Sequence, residues 1–511
     1  DGSGGLIVNS GTFGKTGGVG ASVVSAALSN TSGTINITSG YINDTAGVSN
    51  SGTGSITGDL YMTGGTGTVS GILNGTGRLL LGGGTLTTGM GGFSVPGYYQ
   101  YGGTLDGTAG SDLTATSGFD WYSGTMTGTG KTIVGAGVTA GKVHTVDGGY
   151  SEPVLERTLE INGAVAHESG TGGNYKLTIN TGGVLDIKSG GSYLFTSDAG
   201  IDGSGGLIVN SGTFGKTGGM GTTTISATVS NLPGGTLTVE SGALGLPAFS
   251  NFGTLRGSGT IDVGVGNTLI NNGTISPGVG AGNTATLSIV GNLDLAGGQL
   301  NVDLGGAGAG QFDKLAVNGD VLMGGTLNAI QSGGYTPANG DSLPYLSMTG
   351  AASGNFAGSS LPANFDAGYN LATNEASRLI YSTTGTKTFL NTASDLNWAN
   401  PVNWSGGALP GAGHSALISA GYAVQHPSGN DTIAALTVSA ANSLDISGGS
   451  LAVSGATNVG GALSVSGGTL VLNGASTVQT LGMTSGALNG SGNLSIANGF
   501  NYSGGSIGLS G

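Results

Sequence analysis

The chain has 511 residues, of which 111 are glycine, none is cysteine and only 7% are charged. The net charge is −14, so the surface lacks a basic patch that could neutralise the phosphates of a nucleic acid. The lack of cysteine excludes disulfides, thiolate metal sites and cysteine nucleophiles, and no apolar run approaches the ~18 residues of a membrane-spanning helix.

An internal repeat dominates residues 1–290. Residues 1–18 read DGSGGLIVNSGTFGKTGG, and residues 202–219 repeat this string letter for letter. Within each copy an asparagine followed shortly by Gly-Thr recurs at an almost constant interval. The members of this series are Asn9, Asn30, Asn50, Asn210, Asn231, Asn251 and Asn271.

Short apolar-x-apolar triplets follow a similar period, as in Leu159/Ile161 and Leu177/Ile179. Such triplets between Gly, Ser and Asn indicate short strands joined by turns. The sequence therefore predicts an all-β fold, a right-handed parallel β-helix with rungs of about 20 residues stacked ~4.8 Å apart. The offset of 201 residues then equals about ten rungs. Stacking would join the asparagines into a side-chain ladder, with isolated surface Asx turns as the alternative.

Residues 90–160 are less regular and rich in aromatic side chains. These could form an exposed platform for stacking sugars, or they could fill a widened rung. The candidate contacts for a glycan or another partner are Tyr98, Tyr99, Tyr101, Trp121 and Tyr122.

The sequence pattern changes after residue 290. Hairpin signals at Asn318-Gly319 and Asn339-Gly340 predict an inserted antiparallel β-meander or small sandwich over residues 291–385. A short module with Trp398, Trp404, Pro401 and Pro410 is predicted over residues 386–434, and the β-helix resumes over 435–511. Residues 500–507 resemble 119–126, so we expect the 511 residues to belong to a longer protein.

Sequence motifs for catalysis or for binding of nucleotides and metals are weak. The Gly-Lys-Thr strings at residues 14–16 and 215–217 lack the earlier glycine of a phosphate loop, so no nucleotide is expected. Calcium-binding GGxGxD repeats are absent, which leaves only incidental calcium on scattered aspartates. Paired carboxylates for polysaccharide chemistry are also missing, because the only acidic grouping is Glu152, Glu156 and Glu160 around Arg157. We therefore expect no catalytic residues, no metal and no cofactor.

Several segments resemble a known class of proteins. Residues 251–261, 275–278 and 312–319 are similar to the end of β-helical passenger regions in bacterial autotransporters. Residues 398–410, WANPVNWSGGALP, resemble a module of filamentous-haemagglutinin-like adhesins. The resemblance implies secretion through an outer-membrane pore and a place at the bacterial cell surface.

The sequence as a whole favours a non-enzymatic, secreted cell-surface adhesin or stalk that contacts glycans or proteins of host or bacterial surfaces. One alternative is a structural subunit of an extracellular filament, sheath or biofilm matrix, which self-associates along the fibre axis. A third hypothesis is a carbohydrate-active enzyme, which would require a carboxylate cluster that the sequence does not reveal.

Overall fold

A computed structural model describes residues 4–145, 151–169, 176–369 and 375–510, so the first three residues of the opening repeat lie outside it. The predicted fold is confirmed: the chain is nearly all β, with a parallel β-solenoid of about 23 turns and a small antiparallel segment. It divides into two units, residues 1–279 with 286–293 and residues 280–285 with 294–511.

In the first unit, short parallel strands stack in three columns. Column 1 contains Leu6–Asn9, Ala27–Asn30, Val48–Asn50, Val154–Leu155, Lys176–Ile179, Gly200–Asp202, Thr222–Thr224, Ala243–Gly245, Thr260–Asp262 and Thr286–Val290. Column 2 contains Thr12–Lys15, Thr34–Ile37, Thr53–Ile56, Lys131–Val134, Thr158–Ile161, Val184–Ile187, Leu207–Asn210, Thr228–Asn231, Ser250–Asn251 and Thr268–Asn271. Column 3 contains Ala21–Val24, Tyr41–Asp44, Asp59–Met62, Arg78–Leu81, Gly141–Thr145, Ala164–Ser169, Ser192–Phe195, Thr213–Lys216, Thr236–Val239, Thr254–Gly257 and Thr274–Pro277.

Three longer strands bend around corners and contribute to more than one column: Thr66–Gly75, Thr85–Gly107 and Leu113–Met126. Within most strands buried and partly exposed residues alternate, as in Thr158–Ile161 and Val184–Ile187. Because register is kept between turns, Leu159 lies over Leu185, and Leu185 over Ile208. Each such side chain contributes about 1.5–3 kcal/mol by burial.

The recurring asparagines form two hydrogen-bonded ladders inside the solenoid. Asn9 Nδ2 donates to Asn30 Oδ1, and Asn30 Nδ2 to Asn50 Oδ1, both at 2.7 Å. The second ladder runs through Asn210, Asn231, Asn251 and Asn271, again with 2.7 Å between each Nδ2 and the next Oδ1.

Glycine in the Asn-x-Gly-Thr motif has a steric reason. A Cβ at Gly253 would collide with the Gly235 carbonyl oxygen and crowd Asn231 Nδ2. Asn251 Nδ2, which donates to Asn271 in the ladder, also donates to the Gly253 carbonyl at 3.0 Å. The turn therefore passes so close to its neighbour that only glycine fits beside the ladder.

The two copies of the repeat occupy different columns, which corrects the expected ten rungs. Strand Leu6–Asn9 lies in column 1, whereas its copy Leu207–Asn210 lies in column 2. Column 2 leads from Thr12–Lys15 to Leu207–Asn210 through nine parallel pairings. The offset is therefore nine turns plus one strand, about a third of a turn, and the two Asn ladders lie in different columns.

The strands of the second unit follow the boundary strand Asn292–Asp294. They are Gln299–Leu304, Lys314–Asn318, Val321–Leu322, Thr326–Gln331, Ser342–Met348, Ala352–Ser353, Gly358–Ser360, Phe365–Tyr369, Glu375–Tyr381, Gly385–Thr388, His414–Ile418, Ala423–His426, Asn430–Ile433, Ala435–Val438, Ser443–Ile446, Ser450–Val453, Thr457–Val465, Thr469–Leu472, Ser476–Met483, Ala487–Gly490, Leu494–Tyr502 and Ser506–Leu509. Two 3₁₀ turns, Pro401–Asn403 and Ser405–Gly407, are the helical elements of the described residues.

The antiparallel segment is smaller than residues 291–385. Strand Glu375–Tyr381 pairs antiparallel with Ser342–Met348 and with Phe365–Tyr369. Strands before it are parallel, as between Gln299–Leu304 and Thr326–Gln331. The hairpins predicted at Asn318-Gly319 and Asn339-Gly340 were wrong, because these turns lead to strands that pair elsewhere.

The Trp/Pro module has an aromatic centre that includes a buried histidine. Trp404 Nε1 donates to the Trp398 carbonyl at 2.8 Å, and the two indoles meet edge to face at 4.6 Å. Beside them His426 is fully buried, with Nε2 2.9 Å from Asp431 Oδ2 and Nδ1 3.0 Å from the Gly448 carbonyl. Burial alone lowers the pKa of His426, but these two acceptors outweigh it and raise the pKa above its usual value.

Removing one rung of the second ladder should destabilise the solenoid. Asn231→Ala leaves Asn210 Nδ2 and Asn251 Oδ1 without their buried partner, and we expect a loss of about 2–4 kcal/mol in the free energy of unfolding. Denaturant unfolding followed by circular dichroism measures the loss. The control is Ser230→Ala, at the outward position of the same strand, which should stay within about 0.5 kcal/mol of wild type. Equal stability of the two variants would contradict the ladder's contribution.

Stability of the Trp/Pro module should depend on pH through His426. Because the folded pKa is raised, the stabilisation is complete below the unfolded value of about 6.5 and is lost as pH rises through the folded pKa. Asp431→Asn removes the carboxylate, so the variant should lose less stability than wild type as the pH rises. The measurement is the free energy of unfolding of wild type and variant as a function of pH, from below about 6.5 upward. Parallel pH curves for the two proteins would refute the expectation.

Candidate functional site

Two of the five predicted contact aromatics point into the core. Tyr98 and Trp121 are fully buried; Tyr98 Oη donates to Gln100 Oε1 at 3.0 Å, and Trp121 Nε1 to the Ser123 carbonyl at 3.1 Å. Side chains alternate between the two faces of a strand, so Tyr98 faces inward where its neighbour Tyr99 faces outward. The prediction that Tyr98 and Trp121 contact a glycan was wrong.

The other three lie on the outer side of column 3, where Tyr101 and Tyr122 join a ring stack and Tyr99 packs against Arg78. Tyr101 and Tyr122 stack with centroids 4.7 Å apart at 18°, and Tyr122 and His144 stack at 3.9 Å and 7°. Each ring follows the previous one in the sequence by the length of one turn, so parallel stacking places the three rings above one another. His144 was missed in the sequence, although this spacing was a usable signal.

Charged side chains surround the stack and pair across turns. Arg78 is held by the Asp59 carboxylate, with Nε 2.9 Å from Oδ1, and its guanidinium lies 5.0 Å from the centroid of the Tyr99 ring. Lys142 Nζ donates to Glu168 Oε2 at 3.1 Å. We call this surface the tyrosine face; its members are Asp59, Arg78, Tyr99, Tyr101, Asp120, Tyr122, Lys142, His144 and Glu168.

His144 sits between two carboxylates. Its Nε2 is 3.9 Å from Asp120 Oδ1, and its Nδ1 is 3.8 Å from Glu168 Oε2. The tyrosine face thus carries three carboxylates against the two permanent cations Arg78 and Lys142. The face is close to electrically neutral in a protein that is acidic as a whole.

The phenols of the stack stay protonated over the physiological range. Burial, followed by the neighbouring Tyr122 and Asp120, raises the pKa of Tyr101 to about 12. Burial and the Asp120 carboxylate likewise raise the pKa of Tyr122, because negative charge opposes ionisation of the phenol. Both hydroxyls therefore remain available as neutral donors and acceptors.

A shallow groove of about 320 Å³ adjoins the tyrosine face on the next turns. Its floor includes the small or apolar side chains of Ala164, Ala166 and Leu194, and Lys142 and Glu168 stand at its rim. Since Glu168 lies directly over His144 in the register, the groove continues from the end of the ring stack.

The acidic grouping around Arg157 does not converge on a site. Arg157 is buried and donates from Nε to the Gly130 carbonyl and from Nη2 to the Lys131 carbonyl, both at 2.8 Å. Glu160 pairs with Lys131 at 3.0 Å, and Glu156 accepts from Asn180 at 3.1 Å. Each carboxylate thus serves a different neighbour, and Arg157 fills the interior as a donor to backbone.

Among the residues that the structure describes, no group of three or more His, Asp or Glu side chains is arranged to hold a metal ion. No helix in these ranges is long and apolar enough to span a bilayer. No protein-family model matches the chain, and none of the curated proteins has a similar sequence.

Neutralising Asp120 should make the stacked phenols easier to ionise. In Asp120→Asn we expect the pKa of Tyr101 to fall from about 12, and that of Tyr122 to fall as well, because a repelling charge is removed. The measurement is NMR titration of ¹³Cζ-labelled tyrosine, with Tyr101→Phe and Tyr122→Phe to assign the signals. Asp186→Asn, which removes a carboxylate paired with Lys188 in column 2, is the control. Unchanged titration of both tyrosines in Asp120→Asn would rule out this electrostatic coupling.

Proposed function

We propose that the chain is a non-enzymatic arm of a secreted bacterial surface protein, which carries an adhesive face on a rigid β-helical support. The support for rigidity is the repeated parallel pairing with two internal ladders of buried Asn–Asn hydrogen bonds at 2.7 Å. A stack of short parallel strands keeps each turn fixed on its neighbours, which suits a surface that must hold a partner at a distance from the cell.

The single observation that favours adhesion over a purely structural filament is the tyrosine face. Outward Tyr and Arg side chains are the residues most often enriched at protein recognition surfaces. Here Tyr99, Tyr101, Tyr122 and Arg78 gather on one side of column 3 rather than being spread around the turns. A filament subunit would have no need for this concentration on the side of a turn.

The same geometry argues against catalysis at this face. A general acid or base has to be free to exchange a proton with a substrate, whereas the Asp59 carboxylate is held by Nε and Nη2 of Arg78. The guanidinium compensates the charge of this carboxylate. The arrangement fits recognition by hydrogen bonding better than glycoside cleavage.

Beads coated with the purified chain should adhere to bacterial or epithelial cells above the level of albumin-coated beads. Electron microscopy of the same protein should show separate particles, both dilute and concentrated, since the proposal requires no end-to-end assembly. Adhesion no stronger than that of albumin beads, together with continuous filaments on concentration, would instead favour the filament subunit.

A further inference from the structure

We propose that the groove beside the tyrosine face binds a neutral, hydroxyl-rich saccharide chain. This inference deepens the adhesive function proposed above and rests on it. It assigns the ligand class to the groove at Ala166 rather than to the ring stack itself.

The middle ring of the stack, Tyr122, has no free face to offer to a sugar. Tyr122 is covered on one side by Tyr101 at 4.7 Å and on the other by His144 at 3.9 Å. A pyranose that packs on an aromatic residue needs a free ring face. The stack is therefore a wall of ring edges and hydroxyls, and the flat apolar surface lies in the groove.

The groove has the two properties that a sugar ring requires. Its floor of Ala164, Ala166 and Leu194 contributes mainly apolar surface for the C–H side of a ring. Lys142 and Glu168 on the rim are 41% and 35% exposed as side chains. Such a surface ion pair is worth only about 0–1 kcal/mol, so hydroxyl groups can replace it by accepting from Lys142 and donating to Glu168.

The charges select a neutral ligand. The rim has one cation and one carboxylate, and the chain as a whole carries −14. A polyuronate or another polyanion would be repelled by this field, and a cationic ligand would lose its attraction to Glu168 beside Lys142. A saccharide without charge meets no such opposition.

A peptide is a poorer fit to the same surface. Extended peptides commonly bind by adding to a free strand edge, but strand Ala164–Ser169 pairs on both sides, with Gly141–Thr145 and with Ser192–Phe195. The floor also lacks deep pockets for side chains, because two of its members are alanines. Affinity would have to come from a flat ring and its hydroxyls.

Binding to immobilised neutral glucan, mannan and galactan tests the inference, with a polyuronate and a mixture of unstructured peptides as comparators. We expect the full chain to bind at least one neutral polysaccharide in preference to both comparators. Ala166→Arg, which fills the floor, should weaken this binding about tenfold or more, a change of about 1.4 kcal/mol. Ala435→Arg is the matched control, since Ala435 holds the same outward type of position on a parallel strand of the second unit.

A second variant tests the rim without bulk at the floor. Lys142→Met keeps the length of the side chain but removes the donor, and it should also weaken binding while circular dichroism stays unchanged. Undiminished binding by both Ala166→Arg and Lys142→Met would place the sugar elsewhere. Preference for the polyuronate or the peptides would overturn the ligand class.

The outcomes separate this inference from the function it rests on. Bead adhesion to cells with no binding to any neutral polysaccharide would overturn the saccharide groove and leave the adhesive arm standing. Polysaccharide binding that Ala166→Arg abolishes, without bead adhesion to cells, would support the groove and overturn the adhesin. Failure of both assays would overturn both proposals.

Discussion

The solenoid depends on the in-register stacking of one turn on the next at about 4.8 Å. A side chain in such a stack touches its counterparts from the turns above and below, so each position must tolerate its own neighbours. Aliphatic residues meet this requirement inside, asparagine meets it by donating and accepting at once, and several charged residues meet it by pairing with an opposite charge on the next turn. Lys131 therefore pairs with Glu160, and Lys176 with Asp202, on neighbouring turns. The charged fraction of 7% follows from the same rule.

Stacking constrains neighbours rather than absolute position, which explains how one sequence can serve two columns. Both copies of the repeated string contribute to an Asn ladder, although Asn9 lies in column 1 and Asn210 in column 2. Lys216 is fully buried and its Nζ donates to Asp198 Oδ1 at 2.6 Å and to the Ser197 carbonyl at 2.9 Å. The preceding turn supplies these partners of Lys216.

This dependence also sets how much could be predicted from the sequence. The short period and the Asn-Gly-Thr motif were sufficient for the parallel β-helix, because both reflect contacts between adjacent turns. The column of each strand was not predictable, since it depends on turn length: the turn from Lys131 to its partner Thr158 is much longer than the turn from Thr34 to its partner Thr53. The same uncertainty grouped Tyr98 and Trp121 with outward tyrosines, although strand alternation separates them. His144, in contrast, follows Tyr122 by the length of one turn, so its place in the stack could have been predicted from this spacing.

The strands that carry the proposed binding groove also contribute to the packed interior. Strands that carry the groove floor on their outer side carry large aromatic side chains on their inner side: His167 follows Ala166, and Tyr193 and Phe195 flank Leu194. Burial lowers the pKa of His167 to about 3, so the ring stays neutral, and Tyr193 Oη lies 2.8 Å from its Nδ1. His167 also stacks on Phe195 at 4.8 Å. Packed aromatic rings leave little freedom to the backbone above them, so the groove floor is held in place before any ligand arrives. A preformed flat surface avoids the ordering cost that a flexible loop would incur on binding, which supports the proposal that a neutral saccharide chain binds on the side of the solenoid.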